Sequence, residues 1–367
     1  MMDYLYNRKS LPPVSPGSLE PLIAAAARLD QRLGQLNAKE IPLSDYGREN
    51  VADFQSKASD TFKKYVHLLA WTMHPELPGG HEALVDYGGG HGLLACLAKE
   101  AGLRRVFYND IFAGCCDDAR KLAELLGCPA EDYICGDIRA VGESLRPRNL
   151  PSLALVSINV IEHVYDMDAF VREAGALLRG PMTLMLSTSA NPLNPIVARR
   201  HHAQHRLWEF KDGPHESSYP MDTPRAFCTV RRELIKAVAP QLSTEELDWL
   251  VAATRGMWKP DIEACVHAYV ESRRRPSLPA HPTNTCDPLT GSWQERLLDI
   301  PHVSGVLEQQ GFKVRVMGGY YSGHAAQGSL KATVKRSVAI ALNQAISLLG
   351  DQGARLAPCF MFHAARR

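Results

Sequence analysis

Apolar residues recur at helical spacing near the start of the chain. Leu22, Ile23, Ala26, Leu29 and Leu33 fall three or four apart, which predicts a helix over 19–36. A second helical block is predicted over 44–73, with Phe54, Phe62, Tyr65, Leu68, Leu69 and Trp71 as its apolar stripe. Pro75, Pro78, Gly79 and Gly80 are expected to end it. The period then changes. Short apolar runs predict strands over 83–88, 104–109, 133–136, 153–159 and 181–188. Between them lie helical patterns over 91–102 and 112–127, a short one near 140, and another over 166–178. Solid apolar strands alternating with helices predict an α/β fold, a doubly wound parallel sheet covered on both faces. The rhythm breaks after residue 190. Prolines punctuate 190–290, and helical pieces are predicted over 225–238, 244–254 and 261–273, the second opened by Ser243 or Thr244 with Glu246 or Glu245. A block of roughly 100 residues is too long for a loop and is read as an inserted helical subdomain. A helix over 294–310, a strand over 313–320, a helix over 329–349 and a strand over 357–363 complete the series.

The first predicted strand runs into a glycine cluster, Asp86-Tyr87-Gly88-Gly89-Gly90-His91-Gly92. Glycines admit positive φ and let a ligand lie against the main chain. The helix that follows offers unpaired N–H groups to an electron-rich ligand atom. The second strand ends in Asp110, about twenty residues on, the spacing at which an acid accepts hydrogen bonds from ribose hydroxyls. The third ends in Asp137. The fourth ends in Asn159 and runs into Val160-Ile161-Glu162-His163-Val164. All these groups fall on the carboxyl edge of the predicted sheet, where open α/β sheets bind ligands.

A dinucleotide fingerprint would place its third glycine at position 93, which is Leu93. With Gly88-x-Gly90-x-Gly92 and its two spaced acids, the chain resembles the class I S-adenosylmethionine (SAM)-dependent methyltransferases. The resemblance covers roughly residues 80–190 and resumes near the C-terminus. It implies a Rossmann-like sheet of about seven strands with a helical N-terminal cover, and SAM as cofactor, leaving as S-adenosylhomocysteine (SAH). It implies that Asp86, Gly88, Gly90 and Gly92 surround the methionine part of SAM and that Asn159 lies beside it. Asp110 would hold the ribose hydroxyls and Asp137 the adenine amine, with Ile111 and Ile138 as apolar walls. The family's sixth and seventh strands usually form a near hairpin, whereas here a helix of some twenty residues separates them. The string Val160–Val164 is similar to the corresponding segment of ubiquinone-type O-methyltransferases. Some of those hold a divalent metal with a Glu-His pair and a preceding Glu. Here the preceding residue is Asn159, and no metal is expected.

Methyl transfer to a hydroxyl needs a base to remove its proton, and His163 is the candidate, with Glu162 beside it. His201 and His205, four apart, would share a face on a helix; with His202 and three nearby arginines they suggest a contact to an anionic substrate group rather than to a metal. A solvated basic face is the alternative. Arg255 and Trp258, in a polar turn, and Tyr321, after the sixth strand, are further candidate substrate contacts.

Composition adds limits. With the resemblance, the 367 residues are expected to divide into a helical arm over 1–80, a SAM-binding core over 81–190, a substrate subdomain over 191–290 and a C-terminal completion of the sheet over 291–367. With 41 basic and 40 acidic residues the net charge is +1, which gives no electrostatic reason to expect nucleic acid or an anionic membrane. No stretch reads as a membrane span or signal peptide, so a cytoplasmic protein is expected. The nine cysteines show no C-x-x-C or zinc spacing and read as reduced thiols. The Asp/Asn-Pro-Pro-aromatic segment of nucleic-acid amino-methylating enzymes is absent, since Val160-Ile161 follows Asn159. The expected activity is O-methylation of a small polar metabolite: a sugar, a sugar nucleotide or a natural-product intermediate. The alternatives are small-molecule N-methylation and a non-catalytic SAM-binding partner protein. The acceptor and the oligomeric state are not legible.

Overall fold

A computed structural model of the chain describes residues 4–6, 11–12, 16–72, 81–213, 223–281, 283–322 and 330–367. The chain forms two compact units. One comprises Met1–Val160, Asp168–Thr188 and Ile300–Arg367; the other comprises Ile161–Met167 and Ser189–Asp299.

The first unit is a Rossmann-like α/β fold. Helices α1 (Pro16–Gln35) and α2 (Asp45–Trp71) lead into β1 (Ala83–Tyr87). Next come α3 (Leu93–Glu100), β2 (Arg105–Asp110), α4 (Ala113–Leu125), β3 (Asp132–Cys135) and α5 (Ile138–Leu145). Then follow β4 (Leu153–Ile158), α6 (Met167–Ala176) and β5 (Met182–Thr188). The chain passes through α7 (Pro195–Phe210), α8 (Phe227–Val238), α9 (Thr244–Ala253) and α10 (Lys259–Ser272) of the second unit. It returns with α11 (Ile300–Gln309), β6 (Lys313–Gly318), α12 (Leu330–Leu349) and β7 (Phe360–Arg366). The proline-glycine stretch expected to end α2, Pro75–Gly80, lies outside the described residues.

The seven strands form one sheet in the order β3-β2-β1-β4-β5-β7-β6. It is mixed rather than all parallel, because β7 runs antiparallel to both β5 and β6. Gly318 pairs with Phe360, so β6 and β7 make an antiparallel pair although the whole of α12 lies between them in sequence. Tyr87 is level with Asn109 on one side and Ser157 on the other, so the carboxyl ends of β1, β2 and β4 are flush. β1 and β5 are buried along their whole length, polar Asp86, Thr183, Ser187 and Thr188 included. One core joins Leu22, Leu29 and Leu33 of α1 and Phe62, Val66 and Leu69 of α2 to Leu84, Val106 and Val156 of the sheet.

Ser44 caps α2 by accepting from Gly47 N at 3.0 Å. Its own backbone N donates to Asp118 Oδ1 of α4 at 2.9 Å, and its hydroxyl donates to the other oxygen of that carboxylate. The start of α2 is thereby fixed to the helix that follows β2.

In the second unit Ile235 of α8, Leu250 of α9, and Ile262 and Val266 of α10 form a separate small core. Ser243 and Glu246 open α9 with a reciprocal capping box. Glu209 of α7 and Arg231 of α8 form a buried ion pair, with side-chain exposures of 3% and 0%. Thr285 donates to Glu209 Oε2 at 2.7 Å, and Arg231 Nε donates to Val251 O at 3.2 Å. α7 was not foreseen as an element, although Asn194 caps it and Pro195 is its first residue. The helix expected over 294–310 forms only from Ile300. Residues 294–299 are irregular, with Glu295 in left-handed backbone, and their backbone bonds go to distant partners: Gln294 N to Thr285 O at 3.0 Å and Arg296 N to Glu162 O at 3.2 Å. The last strand runs over 360–366, three residues later than expected at each end.

Candidate functional site

The flush strand ends of the first unit build a cradle around the glycine loop. Gly88, Gly90 and Gly92 all take left-handed backbone, with φ of 63°, 54° and 70°. A Cβ on Gly90 would meet nothing within 4 Å, so this residue serves the chain's direction and leaves its main chain open to approach. At Gly88 a Cβ would collide with the Val160 side chain. Asp110 closes β2 and accepts from Gly90 N through Oδ2 at 3.1 Å and from Phe112 N through Oδ1 at 3.0 Å. Burial raises its pKa, opposed by N–H bonds from Phe112, Gly90 and Ile111. A carboxylate has about four acceptor positions, so three donors do not exhaust it.

Tyr108, two residues earlier on the same face of β2, donates its hydroxyl to Gly90 O. Both backbone groups of Gly90 are thus held from β2. Tyr108 was not singled out from the sequence; the strand's period of two was the signal that could have found it. Asp86 lies beneath the loop, 3% exposed, and accepts from Ala95 N at 3.1 Å. Burial pushes its pKa up to about 7. His91 packs between Tyr46 and Phe54 of α2 at centroid distances of 5.8 and 5.5 Å, and burial lowers its pKa to about 4.

The neighbouring strand ends carry the remaining predicted groups. Ile111 directly follows Asp110 and is 63% exposed, an unusual position for a large apolar side chain. Asp137 is exposed at the end of β3, where Oδ1 caps α5 by accepting from Arg139 N at 3.0 Å. Ile138 is buried as the first residue of α5. The Asn109 amide bridges Ile134 O and Gly136 O, both at 2.9 Å, and so ties the end of β3 to β2. Asn159 follows β4 with φ of 55° and donates its N–H to Ser187 O at 2.8 Å. Tyr321 does not join this edge: β6 is four positions from β1 in the sheet, and the Tyr321 hydroxyl donates to Leu356 O at 2.9 Å. A separate cavity of about 130 Å³ lies over β6 and β7, lined by His67, Trp71, Arg315, Met317 and Tyr320 among others.

In the second unit, His163 is fixed by residues far along the chain. Its Nδ1 lies 2.7 Å from the backbone oxygen of Trp293, 130 residues away. Trp293 N donates to His163 O at 3.3 Å, and the Trp293 indole N–H donates to Tyr165 O at 3.1 Å. A carbonyl oxygen only accepts, so Nδ1 carries the proton of this hydrogen bond. Glu162 is fully buried. Tyr165 lies 5.5 Å from the Trp258 ring and stacks at 6.3 Å on Trp293, and the Arg296 guanidinium lies 4.4 Å over Trp293. Trp258 is half-buried.

His201 and His205 are buried, which overturns the solvated-face alternative for them. His205 is held by Thr283 Oγ1 at 3.2 Å and Glu295 O at 3.0 Å, and burial lowers its pKa to about 4. His202 is half-buried, 5.7 Å from the His281 ring. Arg255 donates to Thr283 O and lies 3.8 Å from Glu209. Among the described residues no group of three or more His, Cys, Asp or Glu side chains is placed to hold a metal ion. Among the same residues no helix is long and apolar enough to cross a membrane.

No family model and no curated protein matches the sequence. Solved structures do resemble the chain. The plantazolicin methyltransferase BamL, in complex with a triazolic desmethylPZN analog and SAH, is 12% identical over 94% of this chain and 97% of its own, with a TM-score of 0.37. The mycolic acid cyclopropane synthase CmaA1, with SAH and CTAB, is 15% identical over 97% of this chain and 100% of its own, at 0.39. An S-adenosylmethionine-dependent methyltransferase from Mesorhizobium loti is 16% identical over 82% and 95%, at 0.36.

Proposed function

We propose that this chain is a class I SAM-dependent methyltransferase that methylates an oxygen of a small polar metabolite. The observation that carries the reading is the grip of β2 on the glycine loop. Asp110 and Tyr108 hold the two backbone groups of Gly90, with Gly88, Gly90 and Gly92 all in left-handed backbone and Asp86 buried below. The open approach to Gly90 fits a cofactor lying against the main chain. When bound, SAM supplies a methyl group activated on a sulfonium sulfur. Asp110 then accepts from the ribose hydroxyls through its remaining acceptor capacity, and Asp137 accepts from the adenine amine. Exposed Ile111 supplies an apolar wall that covers part of the base, and Asn159 serves the methionine end.

His163 is the proton acceptor. With Nδ1–H donated to Trp293 O, Nε2 takes the acceptor hydroxyl's proton as the oxygen attacks. A neutral amine already carries its attacking lone pair and needs no such base, so this tautomer favours oxygen over nitrogen. Glu162, adjacent to His163 and buried, is the second candidate of the pair. Acceptor choice falls to half-buried groups of the second unit, Trp258 and His202. His201, His205, Arg255 and Tyr321 are read as framework, since they are buried or bonded internally.

Calorimetric titration with SAH tests the cofactor assignment. The intact protein binds SAH and not NAD(H), and Asp110→Ala loses SAH binding; binding of NAD(H) or of neither ligand overturns the reading. Labelled SAM with a panel of hydroxylated metabolites then finds the acceptor. His163→Ala lowers kcat by roughly 10²–10⁴-fold while retaining SAH. Unchanged turnover removes His163 as the base.

A further inference from the structure

Two pairs of cysteines lie within hydrogen-bonding reach of each other in the first unit. Cys96 of α3 lies beside Cys128, which follows α4, and Cys116 of α4 lies beside Cys135, the last residue of β3. The pairs differ in access. Cys96 and Cys128 are both buried, whereas Cys135 is exposed above buried Cys116.

The second pair sits among the backbone groups that shape the proposed adenosine edge. Cys116 Sγ donates to Asp110 O at 3.6 Å and to Ile134 O at 3.8 Å. Cys135 Sγ donates to Ile111 O at 3.7 Å. Cys135 is the register partner of Asp110 and is followed by Gly136 and Asp137. Gly136 N donates to that same Asp110 oxygen at 2.9 Å.

We propose that Cys116 and Cys135 are a reversible oxidation site, at which a peroxide converts the thiol pair to a disulfide and weakens cofactor binding. The effect on binding rests on the cofactor reading above; the disulfide itself does not. The Cys135 thiolate attacks one oxygen of hydrogen peroxide, the O–O bond breaks, and the departing hydroxide takes up a proton as water. The sulfur is left as a sulfenic acid. The Cys116 sulfur then attacks it, the S–O bond breaks, and a second water leaves as the S–S bond forms. Two thiols have given up two electrons and two protons, and one peroxide has become two waters. Burial pushes the Cys116 thiol up to about 12, so the first attack falls to exposed Cys135. A dithiol reductant reverses the sequence by exchange.

The consequence for binding is geometric. A disulfide brings the sulfurs to about 2.05 Å, well inside thiol contact distance. The end of β3 must therefore move toward α4. The movement takes Asp137 with it, and Cys116 can no longer donate to Asp110 O or Ile134 O. Asp110, Ile111 and Asp137 lose their relative placement together.

The test uses the full chain carrying Cys115→Ser, so that peptide maps distinguish neighbouring thiols. The protein is treated with hydrogen peroxide, digested without reduction and mapped by mass spectrometry, and SAH binding is titrated before and after. The expected result is a 116–135 link with no 96–128 link. SAH binding becomes about tenfold weaker or more, equivalent to about 1.4 kcal/mol, and dithiothreitol restores it. Adding Cys135→Ser removes both the link and the peroxide sensitivity. Oxidation of Cys135 to a sulfinic acid with no link to Cys116, or a link with unchanged SAH affinity, overturns the proposal. If the reduced protein does not bind SAH, the cofactor reading fails and with it the binding effect; the map still decides the disulfide.

Discussion

Asp86 is a carboxylate held where water does not reach, with one backbone N–H as its described partner and a pKa raised to about 7. A folded-state pKa above the ordinary carboxylate value means that the folded chain binds the proton more tightly than the unfolded chain. The cofactor-free protein is therefore stable with respect to this group below about pH 4 and loses that contribution as pH rises through about 7. Asp86→Asn keeps an oxygen for Ala95 N and removes the charge. Its melting temperature should rise relative to the parent between pH 4 and pH 8, with a gain on the order of 4 kcal/mol at the upper end. Equal shifts at both pH values in parallel thermal scans would contradict this. The placement of Asp86, Asp110 and Asp137 at or near strand ends was legible because short apolar runs mark those strands. Tyr108 was hidden in an apolar run whose residues look alike until the strand's two faces are separated. The tautomer of His163 was not legible at all, since the carbonyl that sets it lies 130 residues away.

Elements with local signals were read well, and those held by distant contacts were not. The strands of the sheet carry their own pattern of apolar runs. Residues 294–299 have helical spacing, yet their backbone groups are taken by Thr285, Glu162 and neighbours, and a helix would leave those partners unmet. The turn between α9 and α10 matters for the same strap. Gly256 has φ of 81°, and a Cβ there would lie 2.6 Å from the Trp293 ring. Gly256→Ala should displace Trp293 and with it the oxygen facing His163 Nδ1. The expected outcome is a lost preference for the Nδ1–H tautomer in the ring nitrogen shifts of labelled histidine. Shifts identical to those of the parent would show that the turn does not govern the ring.

At the scale of the whole molecule, the chain leaves the sheet unit at 161, returns at 168, leaves again at 189 and returns at 300. The sheet unit was legible because βα alternation repeats one rule. The other unit was legible only as a helical block, since its interior depends on the Glu209–Arg231 pair and on long-range backbone bonds. Arg231→Met leaves Glu209 buried without its main partner and should cost about 3–5 kcal/mol. Four of the five tryptophans (Trp208, Trp249, Trp258 and Trp293) lie in that unit. Tryptophan fluorescence should therefore report the loss at lower temperature than far-ultraviolet circular dichroism does. Coincident transitions, both lowered equally, would instead mean that the two units unfold as one.

The Trp293 oxygen on His163 has a consequence for how such a chain can diversify. On the proposal that His163 is the base, recombination that replaced residues 189–299 with another acceptor-binding module would also discard the group that orients its ring. A new module could be inherited productively only if it brought its own carbonyl to the same ring nitrogen. On that proposal substrate range and proton removal are bound into one heritable block, and gradual substitution within that block is the more accessible route to a new acceptor.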